Sequence, residues 1–283
     1  MVELKFHCCM PIFIARQWIR HRTANVNEYS GRYSLIPMLF YTPEADQVQT
    51  QSRRNNQGRS GSPVADDVFA EATSRWGADR DRVTATYEWL TGEGVARELA
   101  RIDLPLSTYT QWYWKIDLHN LLHFLTLRVD AHAQWEIQAF GRVMAGMLKR
   151  VAPLSYEAWI DYDVCGSHVS RMELEVLRAL VAPDPPEGGG GRGPDGESGG
   201  GGGNGGGTAS GAEAPGLRAT GATLDRAAIL ARGLSGREAD ELVGKLRPRS
   251  VPDFELDLAT ARTGEFFAER FAAAVPRADR DGS

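Results

Sequence analysis

Residues 20–34 read RHRTANVNEYSGRYS, a stretch that puts Arg20, His21, Arg22, Glu28, Ser30, Gly31 and Arg32 within fifteen positions. It has too few aliphatic residues to be a core element. Guanidiniums stay charged at any physiological pH and present planar donor forks that suit phosphate or carboxylate oxygens. Ser30 followed by Gly31 offers a hydroxyl and a backbone N–H with no Cβ in the way, so an anion can approach the main chain. Glu28 and the Asn side chains can accept from or donate to a base or a sugar. The ligand this pattern predicts is an anion with a polar ring. By composition alone the stretch also reads as a solvated surface or a salt-bridged turn.

On the N-terminal side, Val2, Leu4, Phe6 and Cys8 alternate with Glu3, Lys5 and His7, the period of a half-buried strand. Pro11 suits the first turn of a helix, and Ile12, Phe13, Ala15, Trp18 and Ile19 supply its apolar face. Gln17, Arg20 and His21 fall at i, i+3 and i+4, which predicts that they project together from its end. On the C-terminal side, Leu35–Tyr41 reads as a strand whose regularity Pro37 limits. Residues 42–65, with Gln51, Ser52, Asn55, Asn56, Gln57 and Gly58, read as a polar surface loop. Asp66–Leu90 reads as one or two helices packing through Phe69, Trp76, Val83, Tyr87 and Leu90.

Glu98 and Arg101, three apart at a helix end, either pair or point jointly at a ligand. Leu106–Ile116 reads as a strand whose Tyr109, Trp112, Tyr113 and Trp114 are core packing rather than a base-stacking platform, because few basic residues flank them. Asp117, His119 and His123 follow on a helix otherwise made apolar by Leu118, Leu121, Leu122 and Leu125. The His pair has zinc spacing, but Asn120 stands where a Glu would be needed, so no metal is expected. Arg128 closes that helix, where a cation also complements the helix dipole. A long amphipathic helix follows over residues 133–151. Ser170 with Glu173 and Ser235 with Glu238 form two capping boxes for later helices.

Hydrophobic residues make up 42% and charged residues 24% of the 283, as in a globular protein, and the net charge of −5 argues against a nucleic-acid polymer as partner. Cys8, Cys9 and Cys165 give neither a disulfide framework nor metal-ligand spacing and read as reduced thiols of a cytoplasmic protein. No run is long enough to span a membrane, and no secretory leader is recognisable. Residues 184–216 are dominated by Gly, with too little apolar surface to offset the entropy of ordering.

Three strings in fixed order carry a family resemblance: RHR, seven residues, then SGRYS; YTPE with QS and NNQG; and WKIDLHNLLHFLTLR with VDAHAQWEI. Together they resemble the flavin-dependent thymidylate synthases, which work without a cysteine nucleophile. The resemblance implies an α+β fold, a mixed or antiparallel sheet with packed helices and a disordered Gly-rich insertion. It divides the chain into a catalytic region 1–183, a flexible linker 184–223 and a short helical segment 224–283. It implies reductive methylation of dUMP to dTMP with methylenetetrahydrofolate, FAD and NADPH, in a homotetramer that shares its sites between subunits.

By position in those motifs, dUMP would meet Gln17, Trp18, Ile19, Arg20, Glu28, Tyr29, Ser30, Gly31, Arg32, Arg101 and Arg128, with Arg128 the catalytic residue that activates the uracil ring. FAD would be held by Arg20, His21, Arg22, Glu28, Asp117, Leu118, His119 and His123. No GxGxxG fingerprint is present, so a Rossmann mode is not expected. Asn25 departs mildly from the family pattern, which usually has a small hydroxyl residue there. Family members carry a further region, with flavin contacts, ahead of the first strand. Its absence here leaves a non-catalytic nucleotide-binding subunit or an inactive fragment as the alternative.

Overall fold

The computed structural model describes residues 2–53, 58–181, 226–247 and 250–255. Asn55, Asn56, Gln57, the Gly-rich segment and residues 256–283 lie outside these. The chain divides into two compact units, Met1–Val164 with Pro252–Ser283, and Cys165–Val251.

The first unit is built on a three-stranded antiparallel sheet in the order β1-β5-β2. β1 (Glu3–Pro11) runs alongside β5 (Tyr109–Asp117) in unbroken register from Glu3 opposite Asp117 to Pro11 opposite Tyr109. β2 (Asn25–Glu28) takes the other edge of β5, with Val26 opposite Trp114. The period of two sends Phe6, Cys8 and Met10 of β1 and Thr110, Trp112, Trp114 and Ile116 of β5 to one buried face. Helices α1 (Ile12–Trp18), α4 (Leu118–Val129) and α5 (Trp135–Val151) contribute Ile14, Trp18, Leu121, Phe124, Leu125, Ile137 and Leu148 to the same core, none of them measurably exposed.

Trp18 is the hub of this core, with its ring 4.9 Å from Phe124, 5.2 Å from Trp114, 5.6 Å from Phe140 and 5.7 Å from Trp112. Three of these pairs are edge-to-face and the one with Phe124 is stacked, and aromatic pairs of this kind add roughly 0.5–1.5 kcal/mol each beyond the area they bury. The α+β architecture is therefore as the sequence predicts, and so is the core role of Trp112 and Trp114, whereas Tyr113 faces solvent on the other side of β5 and Tyr109 is only partly buried. Cys8, Cys9 and Cys165 are free thiols, and burial pushes those of Cys8 and Cys9 up to about 12.

Several local expectations are corrected. Leu35–Tyr41 forms no strand: Phe40 makes one isolated bridge with Thr108, and Pro37 supplies no donor for a longer ladder. The polar stretch 42–65 is not all loop, since β3 (Gln49–Gln51) and β4 (Arg59–Pro63) pair within it. Asp66–Leu90 is one helix, α2 (Asp66–Gly92), and of its expected packing residues only Tyr87 is buried. α1 ends at Trp18, so Arg20 and His21 lie beyond it, and Pro11 is its N-cap rather than a first-turn residue. Ile14, not the 45%-exposed Ile19, completes its apolar face. Asp117 is the N-cap of α4, not a residue within it.

α5 is followed in the first unit by α6 (Pro153–Trp159), where Tyr156 Oη accepts the Phe254 N–H at 3.2 Å. The second unit comprises α7 (Arg171–Val181), α8 (Arg226–Leu230) and α9 (Gly236–Leu246), packed around Val176, Ile229, Leu234, Ala239 and Leu242. Both capping boxes form, Ser170 with Glu173 and Ser235 with Glu238. Glu173 is buried and both its oxygens take Lys245 at 2.9 Å. No helix among the described residues is long and apolar enough to cross a membrane.

Candidate functional site

α1 stops because the chain turns at Ile19, its C-cap, and the His21 N–H donates to the Trp18 carbonyl at 2.9 Å. That turn lays the His21 ring 5.4 Å from Phe124, 5.7 Å from His123 and 6.2 Å from Trp114. Burial, then the neighbouring His123 and the Arg128 charge, hold the His21 pKa below its ordinary value. Its Nε2 is buried with no hydrogen-bond partner among the described residues.

Arg128 belongs to the last turn of α4, with its guanidinium carbon 5.8 Å from the Phe124 ring centroid. Its Nε is buried with no acceptor, and burial lowers the guanidinium pKa. The side chain remains a cation, and an unpaired charged donor held in a low-dielectric wall is suited to an incoming anion or carbonyl oxygen. Gly141 of α5 lets the two helices approach here: a Cβ at that position would lie 3.3 Å from the Arg128 carbonyl carbon and Cβ.

The second part of the site is the turn after β2. The Tyr29 N–H donates to the Gln111 carbonyl at 2.8 Å and its hydroxyl to the Leu35 carbonyl at 2.6 Å, which pins both ends of the turn. Between them the Ser30 carbonyl accepts from the Tyr33 and Ser34 N–H groups, and Ser30 Oγ accepts the Arg32 N–H at 3.3 Å. The Ser30 hydroxyl proton is left to donate elsewhere. A Cβ on Gly31 would meet Ile36 Cδ1 at 2.5 Å and a guanidinium nitrogen of Arg101 at 3.3 Å. Glycine is thus what allows Arg101, beyond α3 (Arg97–Ala100), to lie against the turn.

Each remaining site residue has a definite place. Arg20 and Arg22 are exposed, and neither these two nor Arg101 and Arg128 makes a side-chain hydrogen bond or ion pair among the described residues. Arg32 is different, since its Nε donates to Glu98 at 2.9 Å and Arg97 donates to the Tyr33 carbonyl. Glu98 therefore pairs with Arg32 and not with Arg101. Both partners are about half exposed, and such a pair is worth roughly 0–1 kcal/mol, cheap for a ligand to open.

Glu28 accepts from Thr110 Oγ1 at 2.7 Å, and Gln17 Oε1 is buried without a partner. Trp18 is fully buried in the core, Ile19 and His119 are exposed, and Leu118 is partly buried. The Asp117 carboxylate is engaged by the Asn120 backbone N–H at 3.0 Å and side-chain N–H at 2.7 Å, which lowers its pKa. One chain brings together His21, His123, Arg128 and Phe124 as one group, and Tyr29, Ser30, Gly31 and Arg101 as another. Phe124 and Trp114, which floor the first group, were not expected in the site. The only signal for Phe124 is its place beside His123.

Fold and site define an α+β protein in which, among the described residues, the guanidiniums of Arg20, Arg22, Arg101 and Arg128 are unpaired and His21 Nε2 is buried without a hydrogen-bond partner. The chain belongs to the family described as Thymidylate synthase complementing protein, whose model matches residues 1–154. It is similar to the flavin-dependent thymidylate synthase of Wolbachia pipientis wMel, at 51% identity over 181 residues, covering 64% of this chain and 63% of that protein. Its similarity to the protein of the same name from Dictyostelium discoideum is 48% over 178 residues, covering 63% and 58%.

The chain thus spans about three fifths of the length of these relatives. Among solved structures it resembles a UMP/dUMP methylase, PolB from Streptomyces cacaoi, bound with 5-Br dUMP, with a TM-score of 0.52 and 28% identity over 57% of this chain and 71% of that one. The same methylase bound with 5-Br UMP gives a TM-score of 0.52 and 30% identity, over 57% and 74% of the two chains.

Proposed function

We propose that this chain acts as a flavin-dependent thymidylate synthase, converting dUMP to dTMP with methylenetetrahydrofolate as carbon donor and NADPH as reductant, in a homotetramer that shares its sites between subunits. The observation that carries the reading is Arg128: a guanidinium with a buried, unpaired Nε, beside His21 and His123, in a chain of this family. A flavin fits the residues present, because Arg20 and Arg22 are free to neutralise a pyrophosphate and His21 Nε2 is an orphaned buried ring nitrogen suited to a polar ring edge. His119, His123, Glu28, Leu118 and Asp117 complete that set, Asp117 chiefly by fixing the start of α4. When bound, FAD carries the reducing electrons from NADPH to the methylation.

The protein's own share is binding and polarisation. Ser30, the Gly31 N–H and Arg101 hold the nucleotide phosphate, each charged hydrogen bond contributing roughly 1.5–3 kcal/mol. Arg32 joins them once released from Glu98, while Gln17, Arg20, Glu28 and Tyr29 border the sugar and base. Arg128 sets positive charge against the uracil ring as negative charge develops on it, so that carbon-5 becomes nucleophilic. No side chain needs to attack the substrate. The reading is tested by incubating the purified chain with FAD, NADPH, methylenetetrahydrofolate and dUMP and following dTMP by mass. Flavin-dependent dTMP formation supports it. Tight dUMP binding without turnover would instead identify a non-catalytic nucleotide-binding subunit, which the three-fifths span leaves as the second reading.

A further inference from the structure

A separate pocket of about 380 Å³ opens in the first unit, lined by none of the candidate site residues named above. Phe13 of α1, Trp76 and Val83 of α2, and Pro43 and Pro105 of the connecting segments make its apolar walls, and Glu136 at the start of α5 closes it. The volume lies within the range of small-molecule sites. The Phe13 and Tyr41 rings meet at 5.6 Å and 56°, and Trp76, 37% exposed, stands at the rim, so the walls suit a flat body.

Glu136 is the feature that needs a partner. It is only 6% exposed. Its Oε1 accepts from the Tyr41 hydroxyl at 3.0 Å and from the Arg59 guanidinium, whereas Oε2 is buried with no hydrogen-bond partner among the described residues. An unpaired buried acceptor costs roughly 1–3 kcal/mol, more when charged, so the occupant should bring a donor. Asp79, Arg80, Ser107 and Gln134 complete the lining beside the aromatic, Val and Pro walls.

The surrounding charges select the type of donor. Arg59 offsets Glu136, Asp79 is paired with Arg82, and Arg80 is committed to the Tyr41 carbonyl and Thr42 Oγ1, both at 2.6 Å. A cationic ligand would face Arg59 and Arg80, and an anionic one would face Glu136. We propose that this pocket binds a neutral, planar N–H-bearing heterocycle whose N–H donates to Glu136 Oε2. The inference stands on the pocket alone and does not require the activity proposed above.

The test titrates the purified full chain with adenine, with pterin, and with 1,3-dimethyllumazine, a ring of similar shape that lacks an N–H donor, following tryptophan fluorescence and calorimetry. At least one of adenine and pterin should bind at least tenfold more tightly than dimethyllumazine, and the preferred ring tells whether the natural source is a nucleotide or a pterin. Glu136→Gln keeps an oxygen for Tyr41 and Arg59 but turns an NH2 into the pocket, and should lower that affinity at least tenfold. Val83→Trp fills the pocket from α2, away from Glu136, and should abolish binding. Equal affinity for dimethyllumazine, no binding of any ring, or binding unchanged in either variant would overturn the proposal.

Discussion

Replacing Arg128 by Met separates function from stability. Among the described residues the arginine has no side-chain hydrogen bond to lose, and its Nε is buried without an acceptor. Removing an unsatisfied buried donor relieves roughly 1–3 kcal/mol. Against this stand the contact with the Phe124 ring, worth roughly 0.5–1 kcal/mol at a partly exposed site, and the helix-end charge, worth roughly 0.3–1 kcal/mol. Methionine keeps most of the apolar stem contact that arginine makes. The folded protein should therefore stay within about 1 kcal/mol of the parent in urea unfolding. Turnover should behave differently, because a donor aimed at developing charge cannot be replaced by a thioether. dTMP formation should fall at least tenfold, which corresponds to about 1.4 kcal/mol of transition-state stabilisation. Turnover within about threefold of the parent would refute the role given to Arg128, as would a loss of activity explained by a fall of several kcal/mol in stability.

Further outcomes follow from the same contacts. Trp18→Ala removes the ring that touches four other aromatic residues and should cost roughly 3–5 kcal/mol, read as a lower urea midpoint; a loss under 1 kcal/mol would mean the core is not centred there. His21 has its pKa lowered in the folded state by burial, His123 and Arg128, so the unfolded chain binds the proton more readily. Stability should consequently fall as pH drops from the ordinary histidine value of 6.5 to the folded pKa and level off below it, and His21→Asn should flatten that slope; an identical slope in thermal melts would count against the shift. Deleting residues 186–216 should leave flavin and dUMP affinities within about twofold by titration, because a Gly-dominated stretch carries little apolar surface to bury against a ligand. A large loss would make it a lid.

The sheet was legible because its residues obey local rules. Val2 to Cys8 alternate cleanly, and Trp112 and Trp114 share a face by the period of two that also buries Phe6 and Cys8 opposite them. The capping boxes at Ser170 and Ser235 declared their helices for the same reason, since a Ser and a Glu three residues apart satisfy each other whatever lies beyond. The β3–β4 pair was missed because Gln, Ser and Gly carry no strand signal, and its bonds come from the pairing of the two segments with each other.

Leu35–Tyr41 misled because its backbone is tied down piecemeal, the Ile36 N–H to the Tyr87 hydroxyl and the Leu39 carbonyl to the Tyr109 N–H, and not in a continuous ladder. In the site, the Arg32–Glu98 pair joins residues 66 positions apart, which no spacing rule reaches. By its position alone Arg128 reads as a helix-end cation, and only the resemblance makes it catalytic; the burial of its Nε comes from the tertiary fold. The motif strings pointed to the family, but only the packing of α4 on α5 at Gly141 gives that side chain its surroundings.

The most direct test of the central claim is the visible spectrum of the purified chain with FAD added, followed by a dUMP titration. The account predicts a protein-bound flavin whose absorbance shifts saturably with dUMP, since in the proposed function the His21, His123 and Arg128 group and the Ser30, Gly31 and Arg101 turn serve one reaction. Flavin that passes freely through a desalting column, or a bound flavin whose spectrum ignores dUMP, would contradict it.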